Sequence, residues 1–391
     1  MKTIITVFLK EVRENIRDRR TVLNTLLTGP LMAPVIFVLL INGIVSRELD
    51  KAEKPLPVPV IGAENAPNLI EALKQNGVII KAAIANPEKA VRDKDADLVL
   101  RIPPSYGEAW GKGEPAQVEL IFDQSQRDAK CSVERLRSVI DAYGERTSSL
   151  RLIARGISPT VTRPLVVASR DQSTAQARGG EMFSVLPYFF IVGVFIGGMA
   201  LAIDTTAGER ERQSLEPLFA NPVARSKILL GKLGATAAFA MTTLLISITA
   251  FSFAGQFMPT EKLGMTLSIG PRFALLTLVS MLPLVFLIAT LQTLAAAFAK
   301  TFREAQTYLS MLMIVPMVPT MLMSFFPFKV ESWMYAVPLV GQQVTITRLI
   351  RGELVSSAEI ALCFVCTAIG AVIMYLITAR IYNGERLAIS T

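Results

Sequence analysis

The chain has 391 residues, 51% of them hydrophobic and only 18% charged, and its apolar residues gather in runs, which excludes an ordinary soluble domain. No histidine and only three cysteines are present, which excludes His-ligated haem, a Ser-His-Asp triad and a disulfide-stapled outer domain. The net charge of +8 raises nucleic-acid binding, but in a membrane chain the position of Lys and Arg says more than their sum, because they stay on the cytoplasmic face; no nucleic-acid partner is expected.

Residues 1–22 open the chain with Ile5, Phe8, Leu9, Val12 and Ile16 on one helical face and Arg13, Arg17 and Arg20 on another. That pattern predicts an amphipathic helix lying in the headgroup layer; a plain cytoplasmic stub is the alternative. Crossing about 30 Å of hydrocarbon takes about 20 apolar residues. Six runs qualify, at 24–46, 183–203, 232–255, 273–299, 305–327 and 359–379. The first follows a long charged region and ends in NGIVSREL without a small-x-small cleavage site, so it reads as a retained membrane helix, 23–46.

Residues 47–182 have the composition of a soluble domain. VPVIGAE, VII at 78–80, ADLVLRIP and AQVELIFD read as strands, PNLIEALKQNG and PEKAVRDK as helices, and the alternation predicts a small α/β unit. A long helix, Gln126 to Arg155, follows. Its stripe of Val133, Leu136, Ile140, Tyr143, Thr147, Leu150 and Ala154 either packs on its own domain or pairs with a second copy. Asp93, Asp95 and Asp97 resemble a calcium loop, but Leu98 stands where Gly is needed and Pro104 where the closing Glu belongs, so no metal site is expected.

Residues 183–391 carry the remaining five runs. Inside the runs Asp, Glu, Lys and Arg occur only near the ends, as with Asp204 and Glu359, which argues against a proton-coupled antiporter and an intramembrane protease. Pro187, Pro283, Pro316 and Pro319 distort helices, and Gly193 with Gly197 forms a GxxxG contact. Cys363 and Cys366 lie in an apolar helix, as packing residues rather than a redox or metal pair. Segment 328–356 is too polar to span and too apolar for a free loop. Gln342, Gln343, Arg348 and Arg351 beside Leu339, Val344, Ile346 and Leu349 predict short helices dipping into the outer leaflet, and with Gln292 they are the candidate pathway residues.

Basic residues cluster at 1–20, in the linker 205–231 with Lys232, at Lys300 and Arg303, and at Arg380 and Arg386. Six crossings put all of these on one side, with both termini cytoplasmic. The linker, AGERERQSLEPLFANPVARSKILLGK at 207–232, places Leu215, Leu218 and Phe219 at i, i+3 and i+4, ringed by Glu209, Arg210, Glu211, Arg212 and Glu216. Pro217 disturbs that turn, and Asn221-Pro222 supplies an N-cap for the next helix. The segment is either a projecting element that enters a groove on a cytosolic partner or an ordinary charged loop.

The same stretch resembles the signature of ABC-2-class ABC-transporter permeases: an acidic-basic run, a (G/S)-(T/S)-LE step, a small-residue-Pro-(V/I) step and a closing GK. Here Gln213-Ser214 stands in for the commoner Gly-Thr. With AIDTTAGERER, VPVIGAENAPNLIEALKQNGV, ELIFDQSQ and PLVGQQVTITRLIRGE, the chain is similar to the sodium-extruding, NatB-like branch. The resemblance implies an α-helical integral membrane protein of the bacterial inner membrane, with six transmembrane helices and an α/β extracytoplasmic domain inserted after the first. It also implies two permease copies, as a homodimer, facing each other over two cytosolic ATPase subunits, and a coupling segment in which Glu209, Arg210, Glu211, Arg212, Ser214, Leu215, Glu216, Leu218 and Phe219 contact the ATPase. No G-x-x-x-x-G-K-[ST] occurs, so ATP and Mg are expected on the separate ATPase, with no cofactor and no enzyme activity on this chain. Sodium or another small cation is the implied cargo. Neutral oxygens of Thr, Gln292 or Pro-freed carbonyls would have to hold it. A lipid-like or drug-like amphipathic cargo, or a non-transporting regulator acting through the outer domain, are the alternatives.

Overall fold

The computed structural model describes residues 1–19, 22–162, 164–165, 167–214, 222–325 and 329–383. The chain divides into two units, one made of Met1–Val45 with Gln172–Thr391 and the other of Ser46–Asp171. Among the described residues six helices are long and apolar enough to span a membrane: Val22–Ser46, Leu186–Glu211, Arg225–Gly255, Pro271–Phe298, Phe302–Met323 and Ser357–Tyr382.

In the first unit, α1 (Lys2–Arg17) precedes a π-helical turn at Val22–Thr28 that runs into α2 (Gly29–Glu53). The face of α1 that meets protein carries Phe8 and Val12, which pack on Leu201, Ala235 and Phe239, together with the buried Glu11 and Asn15. Ile5, Leu9 and Ile16 point outward. The predicted apolar face is thus divided, and part of the helix is clamped to the bundle by its i, i+3, i+4, i+7 positions.

The second unit is built on a sheet of order β2-β1-β3-β4, with β1 Leu56–Ile61, β2 Val78–Lys81, β3 Leu98–Arg101 and β4 Glu119–Phe122. Three strands are parallel and β4 is antiparallel to β3. Parallel strands require crossovers, supplied here by α3 (Pro67–Gln75) and α4 (Pro87–Arg92). Helix α5 (Tyr106–Lys112) was not predicted, since a one- to two-turn segment containing two glycines gives almost no period. Val58, Leu73, Leu100 and Leu136 form the core. The stripe on α6 (Arg127–Ala154) divides at mid-length: Val133 and Leu136 bury in this core, whereas Leu150 is exposed.

The unit ends at Asp171 rather than at 182. Helix α7 (Ala175–Met182) belongs with the membrane unit, where the Thr266 N–H donates to the Ala175 carbonyl at 3.1 Å.

Of the remaining spans, α8 (Leu186–Ile203) packs against both α9 (Arg225–Gly255) and α10 (Pro271–Phe298), which also meet each other. Helix α9 is capped by Ala224, so it begins three residues after Pro222; Asn221, the predicted cap, lies outside the described residues. The fifth span is two helices, α11 (Phe302–Leu312) and α12 (Met317–Phe325), separated by turns. Pro316 lacks the N–H that would continue the ladder. Next come α13 (Val340–Ile350) and α14 (Ser357–Asn383).

One end of the bundle is aromatic: Phe37 meets Phe183 and Phe251 at 5.7 and 6.0 Å between ring centroids, and Phe190 meets Phe251 at 5.5 Å. The opposite end of α8 is ionic and leads into the linker.

Candidate functional site

The root of the linker is built from the far end of α8. After Ile203 the helix widens into a π-helical turn, Asp204–Gly208, then closes with one α-helical turn, Glu209–Glu211. The Thr205 hydroxyl donates back to the Leu201 carbonyl at 2.7 Å and the Thr206 hydroxyl to that of Ala202; such back-bonding bends helices, and π-turns of this kind recur at functional sites. The turn then ends in a Schellman cap. The Ser214 N–H donates to the Glu209 carbonyl at 2.9 Å, and the Gln213 N–H to that of Arg210 at 3.0 Å. Gln213 takes the left-handed conformation, φ 55°, that the motif requires at this place and that glycine adopts without strain. It is the same residue that replaces the signature's glycine.

Within the charged run Glu209 is buried, Arg210 half-buried, and Glu211 and Arg212 exposed. Glu209 is buried and pairs with Lys232 of α9, whose side chain is 1% exposed and also donates to the Thr205 carbonyl at 2.7 Å. The sequence places Glu209 in the ring of charges around the apolar turn and Lys232 at the start of the third run; the structure pairs the two inside the bundle. Arg210 donates to the Ala299 carbonyl at the end of α10, at 3.4 Å. One Glu211 oxygen accepts the Phe302 N–H at the start of α11, at 2.7 Å. Arg212 reaches back to Asp204 at 2.7 Å, and the Ser214 hydroxyl donates to the Glu209 carbonyl at 3.1 Å. Leu215, Glu216, Leu218 and Phe219 lie outside the described residues.

Helix α1 closes the cluster. Lys10 sits 3.3 Å from Glu11 and 3.8 Å from Glu209. Burial raises the Glu11 carboxyl above its ordinary value, with Lys232 and Lys10 pulling the other way. On Lys10 burial acts downward, but Glu11, Glu209 and Glu14 outweigh it and the net shift is upward. The sequence reading missed Glu11. Its signal was positional, since 8, 11, 12 and 15 share one helical face.

The other candidates sit elsewhere. Gln342 and Gln343 are buried in α13: Gln342 donates to Thr367 at 2.9 Å and to the Ser280 carbonyl at 3.4 Å, and Gln343 accepts from Thr320 at 2.8 Å. Their amides join α13 to α10, α12 and α14. Arg348 clamps Tyr335, Glu353, Glu359 and the Leu354 carbonyl together, and its pKa is held above the ordinary value by Tyr335 and the two carboxylates against the downward effect of burial. Arg351 is 3.9 Å from Glu353. Gln292 donates to the Phe195 carbonyl at 2.7 Å, and its oxygen has no hydrogen-bond partner. Among the described residues no group of three or more His, Cys, Asp or Glu is placed to hold a metal ion.

Between α9, α10 and α14 lies a cleft of about 360 Å³, bordered by Leu233, Pro283, Phe286, Thr290, Phe364 and Tyr375. Its walls offer only two hydroxyls and no charge, which suits an apolar guest.

The family model described as ABC-2 family transporter protein matches residues 26–380. The chain is 24% identical over 355 residues to the ABC transporter permease protein NatB of Bacillus subtilis (strain 168), an alignment that covers 88% of this chain and 89% of that protein. No solved structure matches it.

Proposed function

The chain belongs to the ABC-2 family of transporter proteins, in which the permease is the transmembrane subunit and the ATPase is separate; from that premise we propose that it is the permease half of an ATP-driven exporter of the bacterial inner membrane. Two copies face each other over two cytosolic ATPase subunits, which carry the ATP and Mg, and both termini lie in the cytoplasm with the inserted domain outside. Residues 205–231 take up the ATPase stroke. The observation that carries this reading is the linker root: a charged run joined by hydrogen bonds to three other spans, directly ahead of the apolar Leu215, Leu218 and Phe219. Binding of ATP draws the ATPases together, each displaces one linker, and the permease pair alternates its opening between leaflets.

The cargo proposed from the resemblance to NatB is sodium or another small cation. A second reading, an amphipathic lipid-like or drug-like cargo, is favoured by the uncharged cleft. In inside-out vesicles holding the chain with its ATPase, Glu216→Arg and Leu215→Asp should each abolish ATP-dependent uptake while leaving the protein inserted; normal uptake by both removes the coupling role. Radioactive sodium and an amphipathic dye, compared in the same vesicles, separate the cargoes. Thr290→Trp, which fills the cleft, should stop only the dye.

A further inference from the structure

Three adjacent residues of the linker root bind three different spans, and each bond has the sign its target demands. Arg210 places a cation on the C-terminal carbonyl of α10, where the helix dipole is negative. Glu211 places an anion on the first N–H of α11, where it is positive. The ends of these two helices, Phe298 and Phe302, are close in sequence, so one turn of linker caps both. Glu209 holds α9 through Lys232 in a buried pair. Separating such a pair would leave a charge stranded out of water, so that contact resists sliding. Lys10 and Glu11 add α1 to the same cluster.

We infer that Glu209, Arg210 and Glu211 are positioning residues forming a clasp that locks the linker root to the third, fourth and fifth spans, so that these helix ends move with the linker as one body. The inference rests on the coupling role proposed above and adds how the stroke is distributed. The side chains of the clasp are committed within the chain, which leaves Leu215, Glu216, Leu218 and Phe219 to meet the ATPase. It also accounts for the cluster's chemistry: a contact that must hold while its neighbours move is better made by directional charge-assisted bonds than by sliding apolar surface.

The test uses the full chain in nanodiscs, with Cys131→Ala, Cys363→Ala and Cys366→Ala, and spin labels at Gln213→Cys and Arg303→Cys, both exposed positions. The intact clasp gives one narrow distance between the labels. Glu211→Ala loses the narrow peak, and Glu211→Gln, whose amide oxygen still accepts the Phe302 N–H, restores it. A broad distribution in the unsubstituted clasp, or a narrow one in Glu211→Ala, overturns the inference. Adding the ATPase and ATP then separates the two claims. With the clasp intact both labels shift relative to an outer-end reference at constant mutual distance, and Glu211→Ala keeps hydrolysing ATP with transport per ATP lowered about tenfold, the factor set by weakening one charge-assisted bond. A change in the label-to-label distance on ATP binding overturns the one-body claim. A narrow, Glu211-dependent distance with no ATP-driven shift leaves the clasp standing and removes the coupling role instead.

Discussion

At the residue scale the linker root combines strain with commitment. Gln213 holds φ 55°, a conformation that costs a residue with a Cβ about 1 kcal/mol. Gln213→Gly should therefore raise the thermal unfolding temperature of the purified protein, and an unchanged or lowered temperature would show that the unfolded chain's added freedom cancels the relief. Lys232→Met removes the partner of the buried Glu209, leaving Lys10 at 3.8 Å, and should cost about 3 kcal/mol. Adding Glu209→Leu removes the stranded charge and should recover most of that loss, measured on the same unfolding curves. Glu11 gives a pH signature. Burial raises its folded pKa above 4.5, so the folded chain binds that proton more tightly than the unfolded chain does. Its contribution to stability is complete below 4.5 and is lost as pH rises through the raised value. Glu11→Gln should flatten the fall in unfolding temperature across that interval.

Single elements explain which sequence expectations kept their shape. The GxxxG of α8 is a close contact: a Cβ on Gly197 would sit 2.6 Å from the Thr243 hydroxyl and 3.0 Å from the Ala240 Cα of α9. Gly197→Ala should destabilise by about 1–3 kcal/mol, whereas Gly193→Ala, which meets only the flexible Ser247 side chain at 3.3 Å, should cost less on the same measurement. The fifth apolar run shows where a pattern reads through a break, because hydropathy averages over Pro316 while the backbone cannot. In α6 the stripe packs on its own sheet from Val133 to Tyr143, and beyond it Leu150 is exposed.

The membrane unit as a whole has two unlike poles, an aromatic one at Phe37, Phe190 and Phe251 and an ionic one at Glu11, Glu209 and Lys232. Interlocked rings fix the first by area; the second is held by directional charge-assisted bonds, which transmit displacement without slipping. The proposed orientation puts the ionic pole in the cytoplasm. In a chain with Cys131→Ala, Cys363→Ala and Cys366→Ala, since Cys131 is exposed in the outer unit, a membrane-impermeant thiol reagent should therefore label Gln213→Cys in inverted vesicles only, and labelling in right-side-out cells would reverse the topology.

Length and hydropathy determined the six spans, and the alternation of strand and helix patterns the inserted α/β unit, because each signal lies within a local window of the chain. The ABC-2 signature was legible for the same reason, as a contiguous string. What that string does locally was decided only in three dimensions. Glu209 meets Lys232 across 23 positions, Arg210 meets Ala299 across 89 and Glu211 meets Phe302 across 91. A run of charges has the same hydropathy whether it faces water or caps helix ends, and only packing supplies Lys232, the partner that offsets the burial of Glu209.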